Sequence, residues 1–274
     1  MPGDAEPILR FENVTVQFDE VVALEDVSFE ARQGDTRVIL GASGSGKTVL
    51  LKTALGLVAP ARGAVWLFGR NVAELDEDEL GDVRSRIGML FQEGALFDSM
   101  TIEENVGYPL ENQKAIHRPP EQVRPLVEEA LRFVELEGTL EKFPSELSGG
   151  MRRRAAIARA VVTKPPLVLY DSPTAGLDPI TAQTIIALIV KGRDVNNTTT
   201  MLVTHRYQDG NRIANFRYHP ESGRLEPAGG ISGGGDPRTK FLVLREGRLV
   251  FEGAQDQIEA SGDPYLRKFA RRAA

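Results

Sequence analysis

The segment Gly41-Ala42-Ser43-Gly44-Ser45-Gly46-Lys47-Thr48 constrains this chain more than any other. It follows a short apolar run, Thr36–Leu40, and leads into a stretch from Lys47 to about Leu57 that reads as a helix. Strand, glycine-rich turn and helix in that order match G-x-x-x-x-G-K-[ST] in the context the pattern requires. The glycines let backbone wrap closely around phosphates, and the N–H groups of roughly Gly44 to Thr48 converge on phosphate oxygens. The helix N-terminus adds positive potential. Lys47 is expected to reach the β- and γ-phosphates of a nucleotide, and the Thr48 hydroxyl to ligate Mg²⁺. The competing reading is a chance match in a glycine-rich turn, and the apolar strand before it argues against that.

Strand and helix patterns alternate on both sides of this unit. Ile8–Phe18 and Val21–Ala31 alternate apolar with polar residues, as half-buried strands do. Ala64–Phe68 and Arg86–Phe91 read as strands, and the acidic Leu75–Ser85 as a helix. From Glu93 to about Lys164 the character is helical. Pro119–Val134 opens on prolines and then carries Val123, Leu126, Val127, Ala130, Leu131 and Val134 at helical spacing. Leu167–Tyr170 is wholly apolar, as a central parallel strand is. Thr181–Lys191 reads as a helix and Thr199–Val203 as a strand. This alternation predicts a parallel sheet covered by helices. In Arg206–Lys240, Phe216–Pro220 and Arg224–Pro227 flank Glu221-Ser222-Gly223 and predict an extra surface hairpin, followed by a flexible loop at Gly229–Pro237. Phe241–Phe251 returns to strands around Glu246-Gly247.

Asp171 ends the apolar strand. An acid at the C-terminal edge of a parallel sheet, beside a phosphate loop, is placed for a Mg²⁺ contact. Leu147-Ser148-Gly149-Gly150-Met151 is a second glycine-rich turn, and it opens a basic, alanine-rich helix, Arg152–Val162. Gln92 closes M-L-F-Q, Ala175-Gly176-Leu177-Asp178 follows Asp171, and His205 follows M-L-V-T.

In this order and spacing, these motifs resemble those of the ABC ATPases over Ile8–Leu202 and Leu242–Gly253. The resemblance implies an α/β P-loop NTPase fold with a RecA-like parallel sheet core, an N-terminal antiparallel β subdomain and a helical subdomain. It implies ATP and Mg²⁺ bound by Gly41, Ala42, Ser43, Gly44, Ser45, Gly46, Lys47 and Thr48, with Gln92 and Asp171 also at the metal. Ser148, Gly149 and Gly150 would be the signature that meets the ATP of a second ATPase subunit, in a homodimer or heterodimer. Asp178 would lie in the D-loop, and His205 would be the switch histidine at the γ-phosphate. Phe18 would stack on adenine; its other reading is a strand-end core residue.

Narrower features resemble the Mla/Mce-type lipid-transport ATPases. They are the segment Leu96–Leu110, the lead-in Pro144-Ser145-Glu146, and the ending Asp263-Pro264-Tyr265-Leu266-Arg267-Lys268-Phe269. They imply an integral-membrane permease docking near Gln92 and Leu96–Leu110, and a phospholipid or other hydrophobic cargo. Soluble ABC ATPases acting on DNA or ribosomes are a rival, but this chain carries no long coiled coil, zinc cysteines or second ATPase half. An amino-acid-uptake or export ATPase and a purely regulatory ATP-binding module are two further rivals.

One position departs from the family. After the Walker B aspartate the family places a glutamate that activates water, and this chain has Ser172. A serine hydroxyl cannot serve as that base, and losing a positioned base costs about 10²–10⁴-fold in rate. Three readings follow: a slow, regulatory or heterodimeric site; another carboxylate in its place, with Asp178 or one on Arg206–Lys240 as candidates; or an engineered trap.

Composition narrows the class further. The chain has 274 residues, 41% apolar and 26% charged. It has no run near the roughly 18–20 apolar residues that a membrane span needs. Met1–Pro7 is acidic and does not resemble a secretory signal. Zero cysteines exclude disulfides and thiolate metal sites. A net charge of −6 argues against broad nucleic-acid binding. The expected arrangement is a nucleotide-binding domain over residues 8–253, with its helical subdomain at about 93–164 and the insert at about 206–240. A tail at 254–274 follows. The expected location is cytoplasmic, peripheral on the inner face of the cell membrane.

Overall fold

The computed structural model describes residues 6–92, 94–228 and 235–270. Glu93 and most of the expected loop at Gly229–Pro237 lie outside the described residues. Among the described residues, two larger sheets, one two-stranded hairpin and the helices packed on them make up the fold. Strands β1 (Leu9–Phe18), β2 (Val21–Ala31), β4 (Arg62–Leu67) and β5 (Arg70–Asn71) form an antiparallel sheet in the order β2-β1-β4-β5. Strands β3 (Thr36–Gly41), β6 (Ile87–Leu90), β7 (Leu167–Asp171), β8 (Thr199–Val203), β11 (Thr239–Arg245) and β12 (Arg248–Gly253) form the central sheet. Its order is β12-β11-β3-β8-β7-β6, parallel throughout except for the antiparallel β12.

Side-chain alternation explains why the central strands read as unbroken apolar runs. Val38 and Leu40 of β3, Val168 and Tyr170 of β7, and Leu202 of β8 enter one core. Ile39, Leu167, Leu169, Met201 and Val203 enter the other. A strand buried on both faces has no polar alternation to show. The first core is closed by helices α3 (Ile102–Asn112), α4 (Pro120–Phe133), α5 (Gly149–Val161) and α6 (Pro179–Asn196); the second by the antiparallel sheet with α1 (Lys47–Ala54) and α2 (Glu77–Ser85). Each fully buried Leu or Ile contributes about 1.5–3 kcal/mol to this division.

Local signals fix the helix ends. Thr101 and Glu104 form a capping box on α3, and Asp76 and Glu79 form one on α2. The expected helix at Thr181–Lys191 is longer at both ends. Asp178 caps it, Pro179 occupies its first turn, and Asn197 stops it in the left-handed region at φ 48°.

The Arg206–Lys240 insert differs from the surface hairpin that its sequence predicts. It begins with a helix, α7 (Tyr207–Asn215), whose Tyr207, Ile213 and Ala214 are buried in the first core. The hairpin itself is present: β9 (Phe216–His219) pairs with β10 (Arg224–Pro227). It is anchored rather than merely superficial. Arg193 of α6 donates to the carbonyls of Ile213 (2.9 Å) and Phe216 (3.0 Å), and Asp194 accepts the Tyr218 N–H at 2.8 Å. Asp236 receives Arg217 at 2.8 Å and Arg238 at 3.2 Å. Two short helices end the described chain, α8 (Gln255–Glu259) and α9 (Pro264–Ala270).

Candidate functional site

Four adjacent parallel strands, β3, β8, β7 and β6, deliver the expected residues to one edge of the central sheet. The phosphate loop follows β3, His205 follows β8, Asp171 and Ser172 end β7, and Gln92 follows β6. Ligands of parallel α/β sheets bind at this C-terminal edge. Residues from all four line one cleft of about 560 Å³.

The phosphate loop needs its glycines for room as well as for rotation. Gly46 has φ 100°, and a Cβ there would lie 2.7 Å from the Ala23 carbonyl oxygen. At Gly41 a Cβ would press on the Ser45 hydroxyl and the Leu244 carbonyl. Lys47 folds over the loop it belongs to: its Nζ donates to the Gly41 carbonyl at 2.9 Å and the Ala42 carbonyl at 2.7 Å. Burial pulls its pKa down, and the nearby Asp171 carboxylate partly restores it. The Thr48 hydroxyl donates to Asp171 at 3.3 Å, so hydroxyl and carboxylate meet where a phosphate-bound cation would be held. With one carboxylate and one hydroxyl, the donor set suits Mg²⁺, which binds through one or two carboxylates and substrate phosphates.

The other corner is built from turns. The Ser172 N–H donates to the Val203 carbonyl at 2.9 Å, which extends the β7–β8 ladder by one bond. Its backbone then turns into the left-handed region at φ 48°, a costly conformation for a non-glycine residue. Its hydroxyl lies 3.3 Å from Asp171 Oδ1. Asp178 does not line the cleft. It caps α6 by accepting the Ile180 and Thr181 N–H groups at 3.0 Å, and hydrogen bonds led by the Thr181 hydroxyl hold its pKa below the ordinary value. Among the described residues, the carboxylates that line the cleft are Asp171 and Glu246, the latter on the β11–β12 turn. None of the insert's described acids lines it.

Other expected residues lie elsewhere. Phe18 is 47% exposed at the end of β1, so it is not a core residue, and it does not line the cleft. Its cross-strand partner Val21 does, together with Val22. Ser148, Gly149 and Gly150 open α5 away from the cleft, with the Ser148 hydroxyl accepting the Met151 N–H at 3.2 Å. A Cβ on Gly150 would meet Thr181 at 2.6 Å, so the start of α5 packs on the start of α6.

Asp209 of α7 joins two of the loops that line the cleft, a role that no local pattern around it signals. It is 3% exposed and accepts the hydroxyl of Thr174 at 2.5 Å and that of Thr204 at 2.9 Å. Thr174 lies two residues after Ser172, and Thr204 immediately precedes His205. Burial raises the Asp209 pKa, while the two hydroxyls, Arg206 and His205 oppose that shift.

Residues 24–175, more than half of the chain, match the protein-family model described as "ABC transporter". The chain belongs to the ABC transporter ATP-binding family. As an ABC ATPase it binds and hydrolyses ATP, the chemistry that its phosphate loop and sheet edge are built for. It is 36% identical to the "Intermembrane phospholipid transport system ATP-binding protein MlaF" of Haemophilus influenzae, over 96% of this chain and 90% of that one. It is 38% identical to the "Probable ribonucleotide transport ATP-binding protein mkl" of Mycobacterium leprae, over 95% of this chain and 68% of the other. Among solved structures, a dimeric ATP-binding cassette in a post-hydrolysis state, bound to ADP and Pi, aligns with a TM-score of 0.74 at 30% identity. It covers 90% of this ABC ATPase and 98% of the cassette. ABC ATP-binding subunits of transport systems dimerise and work with membrane permeases. In this one, no helix among the described residues is long and apolar enough to cross a membrane.

Proposed function

We propose that this ABC ATPase is the peripheral ATP-binding subunit of a transporter for phospholipid or another hydrophobic substrate, on the inner face of the cell membrane. The observation that carries this reading is the similarity to MlaF along nearly the whole of both chains. Residues 8–253 form the nucleotide-binding domain and 254–274 a tail. In the closed dimer, the backbone N–H groups of Gly44–Thr48 and the Lys47 ammonium hold the phosphates of one ATP, and Ser148–Gly150 of the other subunit meet them. Thr48, Asp171 and Gln92 would hold Mg²⁺, which would supply charge neutralisation to the bound phosphates. His205 contacts the γ-phosphate.

A groove of about 380 Å³ supports the permease-docking part of the reading. Its wall includes Phe91, Phe97, Tyr108, Pro109 and Arg159, so it combines the end of the Gln92 strand with the Leu96–Leu110 segment. Phe91 and Phe97 are each 42% exposed, an apolar surface suited to receive a helix from a membrane partner.

Ser172 makes hydrolysis the slow step. Binding and closure use Lys47, the loop backbone and the signature, none of which involves the serine. Proton removal from water has no carboxylate at position 172, and Asp178 is committed to capping α6. Positioning by Lys47, Mg²⁺ and His205 sustains a basal rate.

A second reading comes from the mycobacterial relative, whose name points to ribonucleotide transport. Co-reconstitution with its cognate membrane permease, in nanodiscs, separates the two. Stimulation of ATPase activity by phospholipid supports the lipid reading; stimulation only by added ribonucleotide replaces it.

A further inference from the structure

The D-P-Y-L-R-K-F tail touches the phosphate loop at one point. The Tyr265 hydroxyl accepts the Ala42 N–H at 3.2 Å and donates to the Leu244 carbonyl at 2.9 Å. These two groups belong to neighbouring strands at the place where they part. β3 and β11 pair in parallel register from Thr36↔Thr239 to Gly41↔Leu244, and Ala42 is the first residue beyond that ladder. The strands are tight up to that limit, since a Cβ on Gly41 would lie 2.7 Å from the Leu244 carbonyl oxygen. One residue later a hydroxyl stands between donor and acceptor. It acts as an extra, wider rung, and the chain diverges from β11 there to begin the phosphate loop.

Ala42 also connects the tail to the loop's charged residue. Its carbonyl accepts the Lys47 Nζ at 2.7 Å, so one residue is held by Tyr265 on its N–H and by Lys47 on its carbonyl. The tyrosine ring is itself fixed. Phe269 meets it edge-on at 5.4 Å, the Arg245 guanidinium lies 5.4 Å from its centroid, and the adjacent Leu266 is 5% exposed. Elsewhere the outer face of the loop is open: a cleft of about 590 Å³ lies between Ala42–Ser45 and the start of α9. Tyr265 therefore props the loop across an open space.

We propose that Tyr265 is a positioning residue for ATP binding, its hydroxyl setting where the phosphate loop leaves the sheet. The proposal rests on the reading of Gly41–Thr48 as the ATP site. Tyr265→Phe removes both hydrogen bonds and keeps the ring packing. The loop then keeps its residues but loses part of its preorganisation, so the ATP dissociation constant should rise roughly 3–10-fold in a fluorescent-ATP titration. A positioning role also requires kcat at saturating ATP to stay within about twofold while KM rises by the same factor as the dissociation constant. An unchanged dissociation constant overturns the proposal, as does a loss confined to kcat. If wild-type protein binds ATP and Tyr265→Phe binds it equally well, only the role of the tail falls. If wild type does not bind ATP, the reading of the loop falls with it.

Discussion

The phosphate loop and the loop after β7 face each other across one cleft, yet they are held in different ways. The phosphate loop is local. Eight consecutive residues supply its donors, its charge and its bends, and Lys47 bonds to carbonyls only five and six residues away. The corner at Asp171 and Ser172 is assembled. β8 holds it through the Val203 carbonyl, and Asp209 of α7, 35 positions from Thr174, ties it to the loop that carries His205. A local device carries its chemistry in consecutive residues, even where Tyr265 and Gly247 brace it from a distance. An assembled one can differ by a single chemical group, as Ser172 differs from the glutamate that the family resemblance implies, while its scaffold stays in place. On the proposed reading of Ser172, nucleotide capture and water activation are separable in this ABC ATPase.

The largest test of that separation is Ser172→Glu. Restoring a positioned base should raise ATP turnover by about 10²-fold or more. ATP affinity should stay within a few-fold, measured by single-turnover kinetics beside equilibrium binding. Equal turnover in both proteins would break the comparison, because it would mean that the corner already has a working base. The converse substitution is Lys47→Ala. Charge-assisted hydrogen bonds contribute about 1.5–3 kcal/mol each, so ATP affinity should fall roughly 10²-fold, with little change in thermal midpoint. Calorimetric titration with Mg-ATP measures it, and a midpoint that falls by many degrees would show that the loop is less self-contained than its geometry indicates.

Asp209→Ala addresses the assembled corner. It strands the hydroxyls of Thr174 and Thr204, each 1% exposed, and should cost about 2–4 kcal/mol in urea unfolding. A loss near zero would mean that the two loops do not depend on this carboxylate. The smallest effect expected is a pH slope. Burial raises the Asp209 pKa, so the folded protein keeps that proton to higher pH than the unfolded chain does. Stability from this group is present below the ordinary aspartate pKa and is lost as pH rises through the raised value. The wild-type midpoint should therefore fall relative to Asp209→Asn as pH rises across that window, and parallel curves would rule the raised pKa out.

The same contrast decides what could be read from sequence. The strand–loop–helix unit, the apolar central strands and the four sheet-edge positions were legible because their signals lie within a dozen consecutive residues. Helix α7 was not: its buried residues include Asp209 and Gly210, which in sequence read as loop rather than as part of an apolar stripe. Asp209, Glu246 and Tyr265 look like ordinary surface residues in a one-dimensional reading. Each gains its place only when distant segments meet, as when position 265 comes to lie between positions 42 and 244. Phe18 shows the reverse for one of its two readings: a strand-end core residue was an alternative, and its side chain stands half exposed.

The separation of the signature from the cleft of its own chain has a genetic consequence. In the closed dimer proposed above, taken as a pair of identical copies, the phosphate loop and Ser148–Gly150 of one copy would serve different ATP molecules. A copy defective at Lys47 paired with a copy defective at Gly150 brings both faults to the same composite site and leaves the other site whole. Two alleles that are each inactive alone would then complement in a mixed dimer, whereas two copies of either allele would not.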